Sequence, residues 1–196
     1  NVETIDIGLD FSFLDYRLRG TVDWYQRDTK GMLTKAGVVE LPGVVGTDAP
    51  AQNGADMRTC GWELGLTWRD KVGKVNYSIG FNIYDHTSEI TKYANESGLL
   101  SDYYVGSKLG EIWGYVSDGY YSINDFENTT NWKLKEGVTS IQGYNVRPGD
   151  EKFKNLNDSE NSINQIDAGN NTLKNPGDRK VIGNNTPRYQ FGGNIG

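Results

Sequence analysis

The sequence predicts an all-β fold built on long antiparallel strands, and three observations predict it. Apolar and polar residues alternate with period two over five stretches, the pattern of strands with one apolar face. No stretch carries a helical period of comparable clarity. The connections between the five stretches run short, long, short, long, which sorts all tight turns to one end of a sheet and all long loops to the other. Composition agrees, since 25 glycines and 12% aromatic residues in a chain of 196 favour strands and turns.

The first strand is expected near 4–14, where Ile5, Ile7, Leu9, Phe11 and Phe13 alternate with Asp6, Gly8, Asp10 and Ser12. A tight turn at "LDYR" leads to the second, near 17–29, with Leu18, Gly20, Val22 and Trp24 on one side and Arg19, Thr21, Asp23, Tyr25 and Arg27 on the other. A long loop near 30–56, containing "ELPGVVGTDAP", precedes the third strand, near 57–70. There "CGWELGLTWR" sets Trp62, Leu64, Leu66 and Trp68 against Glu63, Gly65, Thr67 and Arg69. Across the short turn "DKVGK" comes a fourth strand near 74–86, carrying Val75, Tyr77, Ile79, Phe81 and Ile83. A very long insertion, near 87–186, separates it from a fifth near 187–196, with Tyr189, Phe191 and Ile195 on the apolar side.

Sorting by loop length distinguishes two all-β architectures. A soluble sandwich alternates as well, but nothing sorts its loops strictly by length. A membrane barrel has short periplasmic turns and long extracellular loops. Nine residues from Ile5 to Phe13 span roughly 30 Å, and a tilt of about 40° brings that close to an apolar band about 25 Å tall. The fold class expected is therefore a fragment of a large antiparallel transmembrane β-barrel. Its polar face would line a wet lumen, and its apolar face would meet lipid, with no backbone edge left unpaired. Trp68, beside Arg69 and Asp70, is expected at the periplasmic rim, and Trp62 is read as lipid-facing bulk.

Bulk properties exclude several other classes. The mean hydropathy of −0.64 leaves no run near the roughly 18 apolar residues of a membrane helix. A net charge of −6 argues against a nucleic-acid partner, which would need clustered Lys and Arg. One cysteine, Cys60, and one histidine, His86, rule out an internal disulfide and a zinc site of Cys/His type. His86 has no evident nucleophile or acid partner, no Gly-rich loop has the lysine and helix context of a phosphate cradle, and no catalytic residue or cofactor is expected. The opening "NVETIDIGLDF" has neither the basic start nor the apolar block of a signal peptide.

Several long segments, in order, resemble the barrel region of SusC/RagA-type TonB-dependent outer-membrane transporters. They are "LRGTVDWYQRDTKGML", "LPGVVGTDAPAQNGADMRTCGWELGLTWRD", "VNYSIGFNIYDHTSEITKY", "KLGEIWGYVSDGYYS" and "NPGDRKVIGNNTPRYQFGG". The resemblance implies a 22-stranded barrel with a plug, a SusD-like surface lipoprotein as lid, the TonB complex as energy source, and import of glycan or peptide oligomers across the outer membrane of a Gram-negative bacterium. It also implies that this chain supplies about five strands and two outer loops, without the plug, the TonB-contacting segment or a signal peptide. Two alternatives stay open. One is a soluble glycan-binding β-sheet module. The other is a split chain that completes a barrel with another polypeptide.

Candidate sites cluster in the long insertion. Trp113, Tyr115, Tyr120 and Tyr121 are either a stacking or partner-contact surface or the small core that such a long insertion needs, and the core is the favoured reading. Family members carry a calcium-loop-like run, and the corresponding place here is "FKNLNDSENSINQIDAGNN". Its ligand series would be Asn155, Asn157 and Ser159, with Glu160 where glycine is expected. Uncharged Asn and Ser hold a hard cation poorly, so the loop is read as a polar surface loop with no metal. Pro148–Asp150 and Pro176–Asp178 are read as turns, since Pro-Gly suits the centre of a type II turn.

Overall fold

The computed structural model describes residues 1–34, 51–157 and 163–196. In chain order its strands are β1 (Val2–Phe13), β2 (Leu18–Thr34), β3 (Gln52–Val72), β4 (Val75–Lys92), β5 (Glu111–Tyr115), β6 (Ser117–Tyr120), β7 (Ser140–Ile141), β8 (Glu151–Phe153), β9 (Gln165–Ile166), β10 (Arg179–Asn184) and β11 (Gln190–Ile195). The described residues form two units. One holds Asn1–Glu96, Tyr103–Gly110 and Thr186–Gly196; the other holds Ser97–Asp102 and Glu111–Asn185. "ELPGVVGTDAP" lies outside the described residues.

The first unit is one antiparallel sheet in the order β1-β2-β3-β4-β11. It is a single open sheet, with β1 and β11 at its edges. Its strands are longer than the alternation suggests: β2 runs on to Thr34, β3 begins at Gln52 and β4 ends at Lys92. The extra length lies above the alternating stretches, where pairing continues although the apolar pattern has stopped. A bulge between Thr29 and Met32 lets β2 and β3 stay paired there. Gly31 sits in it at φ 69°, and its N–H donates to Asp56 Oδ1 at 2.7 Å.

The two tight turns solve the same problem differently. Val72 pairs with Val75 around Gly73-Lys74, with Gly73 at φ 62°, the glycine-first arrangement that suits strand twist. The β1–β2 turn has no glycine, and Leu14, Asp15 and Tyr16 all take left-handed φ, at 56°, 52° and 65°. It is held by Arg17 N–H to Leu14 O at 3.1 Å, by the Arg19 guanidinium over the Tyr16 ring at 5.6 Å and by an Arg17–Asp70 ion pair.

The edge of β4 has two partners in succession. β11 pairs with Ile79–Tyr84. Further up, Ile90 N–H donates to Ser107 O and Leu109 N–H to Ser88 O. The insertion thus first extends β4 and then returns to cover its upper edge, rather than leaving as one loop at residue 87.

The second unit folds around Tyr121, Phe126 and Val146, with Trp132, Leu134, Val138 and Ile141 packed on them. Its strands form short pairs, β5 with β10, β6 with β8, and β7 with β9, the last parallel. Side chains replace the missing ladders: Asn128 Oδ1 accepts the N–H groups of Thr130 and Asn131, both at 3.0 Å.

Candidate functional site

The first unit carries two opposed faces, and register decides which residues share each. On one face, successive rows across β1 to β4 read Phe13-Leu18-Trp68-Ile79, Phe11-Gly20-Leu66-Phe81, Leu9-Val22-Leu64-Ile83 and Ile7-Trp24-Trp62-Asp85. Phe191 and Ile195 of β11 join opposite Ile83 and Ile79. Nothing among the described residues covers this face, since Ile7 is 63% exposed, Leu9 64% and Phe191 75%. A continuous exposed apolar face of this size marks contact with lipid or another apolar surface.

Charge bounds the apolar face above. Glu3, Asp28, Arg58 and Glu89 form one row, with Arg58 bidentate on Asp28 at 2.7 and 3.0 Å. From that row to Trp68 is roughly 33 Å of strand, or about 25 Å of height at a barrel tilt near 40°. Both tryptophan positions have aromatic company. Trp68 Nε1 donates to Tyr77 Oη at 3.3 Å near the turns. Trp62 stands directly opposite Trp24, in the row that also carries Asp85 in an ion pair with Arg188. Trp62, on the apolar face below the charged row, therefore shares its row with Trp24 and with an ion pair, which strand pairing shows and the alternation alone does not.

The opposite face is polar. It presents Asp6, Asp10, Arg19, Thr21, Asp23, Tyr25, Glu63, Asn82 and His86 on neighbouring strands. Glycine thins this wall so that side chains lie flat on it: a Cβ at Gly61 would come within 2.5 Å of the Tyr25 ring. A groove of about 680 Å³ near the turns is lined by Asp10, Ser12, Arg19, Thr21, Thr67 and Asn82 among others. Cys60 lies on the apolar side opposite Gln26, half-buried.

The aromatic residues of the insertion separate into two groups. Tyr121 is 2% exposed, and its Oη donates to Thr139 O at 2.6 Å. It is core, and a ring buried on both faces cannot stack on a ligand, so Tyr121 leaves the contact set. Burial pushes its phenol above the ordinary tyrosine value, and the Asp125 and Asp150 charges push it the same way. Trp113 and Tyr115 share one side of the β5–β10 ladder, opposite Val181 and Arg179, and are half-buried. Tyr115 meets the Phe153 ring at 5.4 Å, and Trp113 Nε1 donates to Glu111 Oε1 at 3.0 Å. Tyr120, at the end of β6, is 73% exposed.

In the calcium-loop-like run, Ser159 and Glu160 lie outside the described residues. Asn155 Oδ1 accepts the N–H of Asn157 at 3.2 Å, and that N–H is shared with Asp178 Oδ1 at 3.0 Å. Among the described residues no group of three or more His, Cys, Asp or Glu is placed to hold a metal ion. Asp178, read from the sequence as part of a turn, lies in one and is also a buried carboxylate, which only the long-range approach of residues 156, 157 and 167 reveals. No described helix is long and apolar enough to cross a membrane, which has no bearing on crossing by strands.

No family profile matches the chain. Over 204 residues, 97% of this chain and 18% of the relative, it is 25% identical to the TonB-dependent receptor P3 of Formosa agariphila. Over 112 residues, 54% of this chain and 10% of the relative, it is 36% identical to the TonB-dependent receptor SusC of Bacteroides thetaiotaomicron. The chain thus spans less than a fifth of the length of either relative. Among solved structures it is similar to a chain of the RagAB peptide transporter, at TM-score 0.46 and 24% identity over 62% of this chain and 14% of that one. It is also similar to a chain of the RagAB peptide importer in a closed-closed state, at TM-score 0.47 and 20% identity over 82% and 17%. Sequence likeness extends along nearly the whole chain to one TonB-dependent receptor and over about half of it to another, which makes the chain SusC/RagA-like.

Proposed function

We propose that this segment is part of the wall of an outer-membrane barrel in a TonB-dependent nutrient importer. The observation that carries the reading is the exposed apolar face, bounded above by the Glu3-Asp28-Arg58-Glu89 row and backed by a polar face. In a barrel the apolar face meets lipid and the polar face meets a wet lumen. The turns at residues 14–17 and 73–74 then face the periplasm, and the chain leaves β4 after Lys92 on the extracellular side. The open edges at β1 and β11 pair with further strands of the receptor, because an unpaired edge is not tolerated in lipid. The exposed apolar face also weighs against a soluble glycan-binding module, which would carry it into water.

Glycan or peptide oligomers are the cargo this reading favours, with a SusD-like lipoprotein as the surface partner and the TonB complex as the energy source. The relatives are named as receptors and transporters, in keeping with a non-enzymatic role. Trp113, Tyr115 and the exposed Tyr120 are the residues proposed to touch cargo or partner. Single nitroxide labels on the full-length receptor in lipid test the wall. Labels at Ile7 and Leu64 are expected to meet oxygen but not a water-soluble nickel chelate, and labels at Thr21 and Glu63 the reverse. Equal access of the chelate to all four positions would reject the barrel.

A further inference from the structure

Asp178 is fully buried, and nothing in the wall function uses it. Its carboxylate is met by main-chain amides. Oδ1 accepts the N–H of Leu156 at 2.6 Å and of Asn157 at 3.0 Å, and Oδ2 accepts the N–H of Asp167 at 2.8 Å. A carboxylate in such a place needs donors to replace its water, and three amide donors do so. The three segments meet closely. Gly177, at φ 64°, would bring any Cβ within 2.5 Å of Asp167 O, so only glycine fits beside the pin. Arg179, next in the chain, donates to Pro176 O at 3.2 Å and to Ala168 O at 2.7 Å, fixing the same crossing from the other side.

The pin sits where both halves of the aromatic strip begin. Arg179 opens β10 directly opposite Tyr115. Leu156 lies three residues beyond Phe153, whose ring packs on Tyr115, and Lys154 N–H donates to Val116 O at 2.9 Å. We propose that Asp178 is the positioning residue for the strip Trp113-Tyr115-Phe153, holding β10 and the chain after β8 in one register without itself touching cargo or partner. Its functional weight rests on the assignment of Trp113 and Tyr115 as contact residues.

Hydrogen exchange on the full-length receptor in detergent tests it. In the wild type the amides of Leu156, Asn157 and Asp167 are expected to be strongly protected. Asp178→Ala removes the acceptor of the Leu156 and Asp167 amides and leaves the Asn157 amide only Asn155 Oδ1, and it should speed exchange there and along the β5–β10 ladder by roughly 10- to 100-fold, with β3 unchanged. Asp178→Asn keeps an oxygen for Leu156 and Asn157 but turns an NH₂ toward the Asp167 N–H, so its effect should be smaller and strongest at Asp167. That ranking tests the carboxylate chemistry, which mere loss of a side chain would not reproduce. Unprotected amides in the wild type, or an Asp178→Ala ladder that exchanges as slowly as before, would overturn the proposal. The contact assignment fails separately, if a Trp113→Ala receptor keeps its exchange pattern and imports normally.

Discussion

Single residues in this chain are governed by what lies across from them rather than beside them. Tyr121 shows it: its neighbour Tyr120 is 73% exposed, whereas Tyr121 is 2% exposed and bonded to Thr139 O. Its raised phenol pKa has a definite consequence. In the unfolded chain the phenol ionises near pH 10, while the folded unit keeps it neutral. Its contribution is therefore complete below that pH and falls as pH rises past it. Spectrophotometric titration of wild type against Tyr121→Phe checks this, because the phenol lost from the curve should be one that ionises late. A missing phenol that titrates with the exposed tyrosines would refute the burial. The composition of "DGYYS" announces aromatic content, but which of two adjacent rings points inward is set by the pairing of β6 with β8.

At the scale of elements, period-two alternation made the five long strands legible, and the turn chemistry was legible in only one of two hairpins. Gly73 announces its turn. "LDYR" announces a turn only by its place between two strands, because it has neither glycine nor asparagine, and yet Leu14, Asp15 and Tyr16 all adopt φ above zero. Each such residue costs about 1 kcal/mol relative to glycine. Asp15→Gly is therefore expected to stabilise the hairpin by up to about 1 kcal/mol, less the entropy glycine adds to the unfolded chain. Urea-induced unfolding of the receptor from detergent or lipid reads the change, and a loss of more than about 1 kcal/mol would show that the Asp15 side chain contributes more than its backbone strain. The upper strand extensions were not legible, since above the Glu3-Asp28-Arg58-Glu89 row apolar residues such as Ala55 and Ile90 no longer alternate regularly with polar ones and the pattern that marks a strand disappears while its hydrogen bonds continue.

For the molecule as a whole, the decisive property is the asymmetry of the first sheet. Leu64 sits mid-height on the exposed apolar face, between Val22 and Ile83, while Thr21 lies on the polar face opposite Gly65. Leu64→Arg should destabilise insertion by about 2–4 kcal/mol, the range for a cation at the centre of a barrel's lipid face. Thr21→Arg should leave insertion nearly unchanged. Folding yield into lipid vesicles compares them, and equal tolerance of both would mean that the apolar face does not meet lipid. The alternation sufficed to name these two faces. The aromatic rows were harder: Trp62 looks isolated along β3, and only strand pairing sets it opposite Trp24 in the row of the Asp85–Arg188 ion pair.

The sequence by itself determined the strands, their two faces, the sorting of short turns from long connections, and the likeness to a receptor family, because all of these are written in local period and local wording. Tertiary structure alone decided which rows align across strands, which tyrosine is core, how β4's upper edge is covered, and that Asp178 is a buried pin between residues 156, 157 and 167. The physical reason is common to all four. Register and burial arise from contacts between residues far apart in the chain, and a carboxylate in a Pro-Gly-Asp turn looks the same in sequence whether water or three distant amides solvate it.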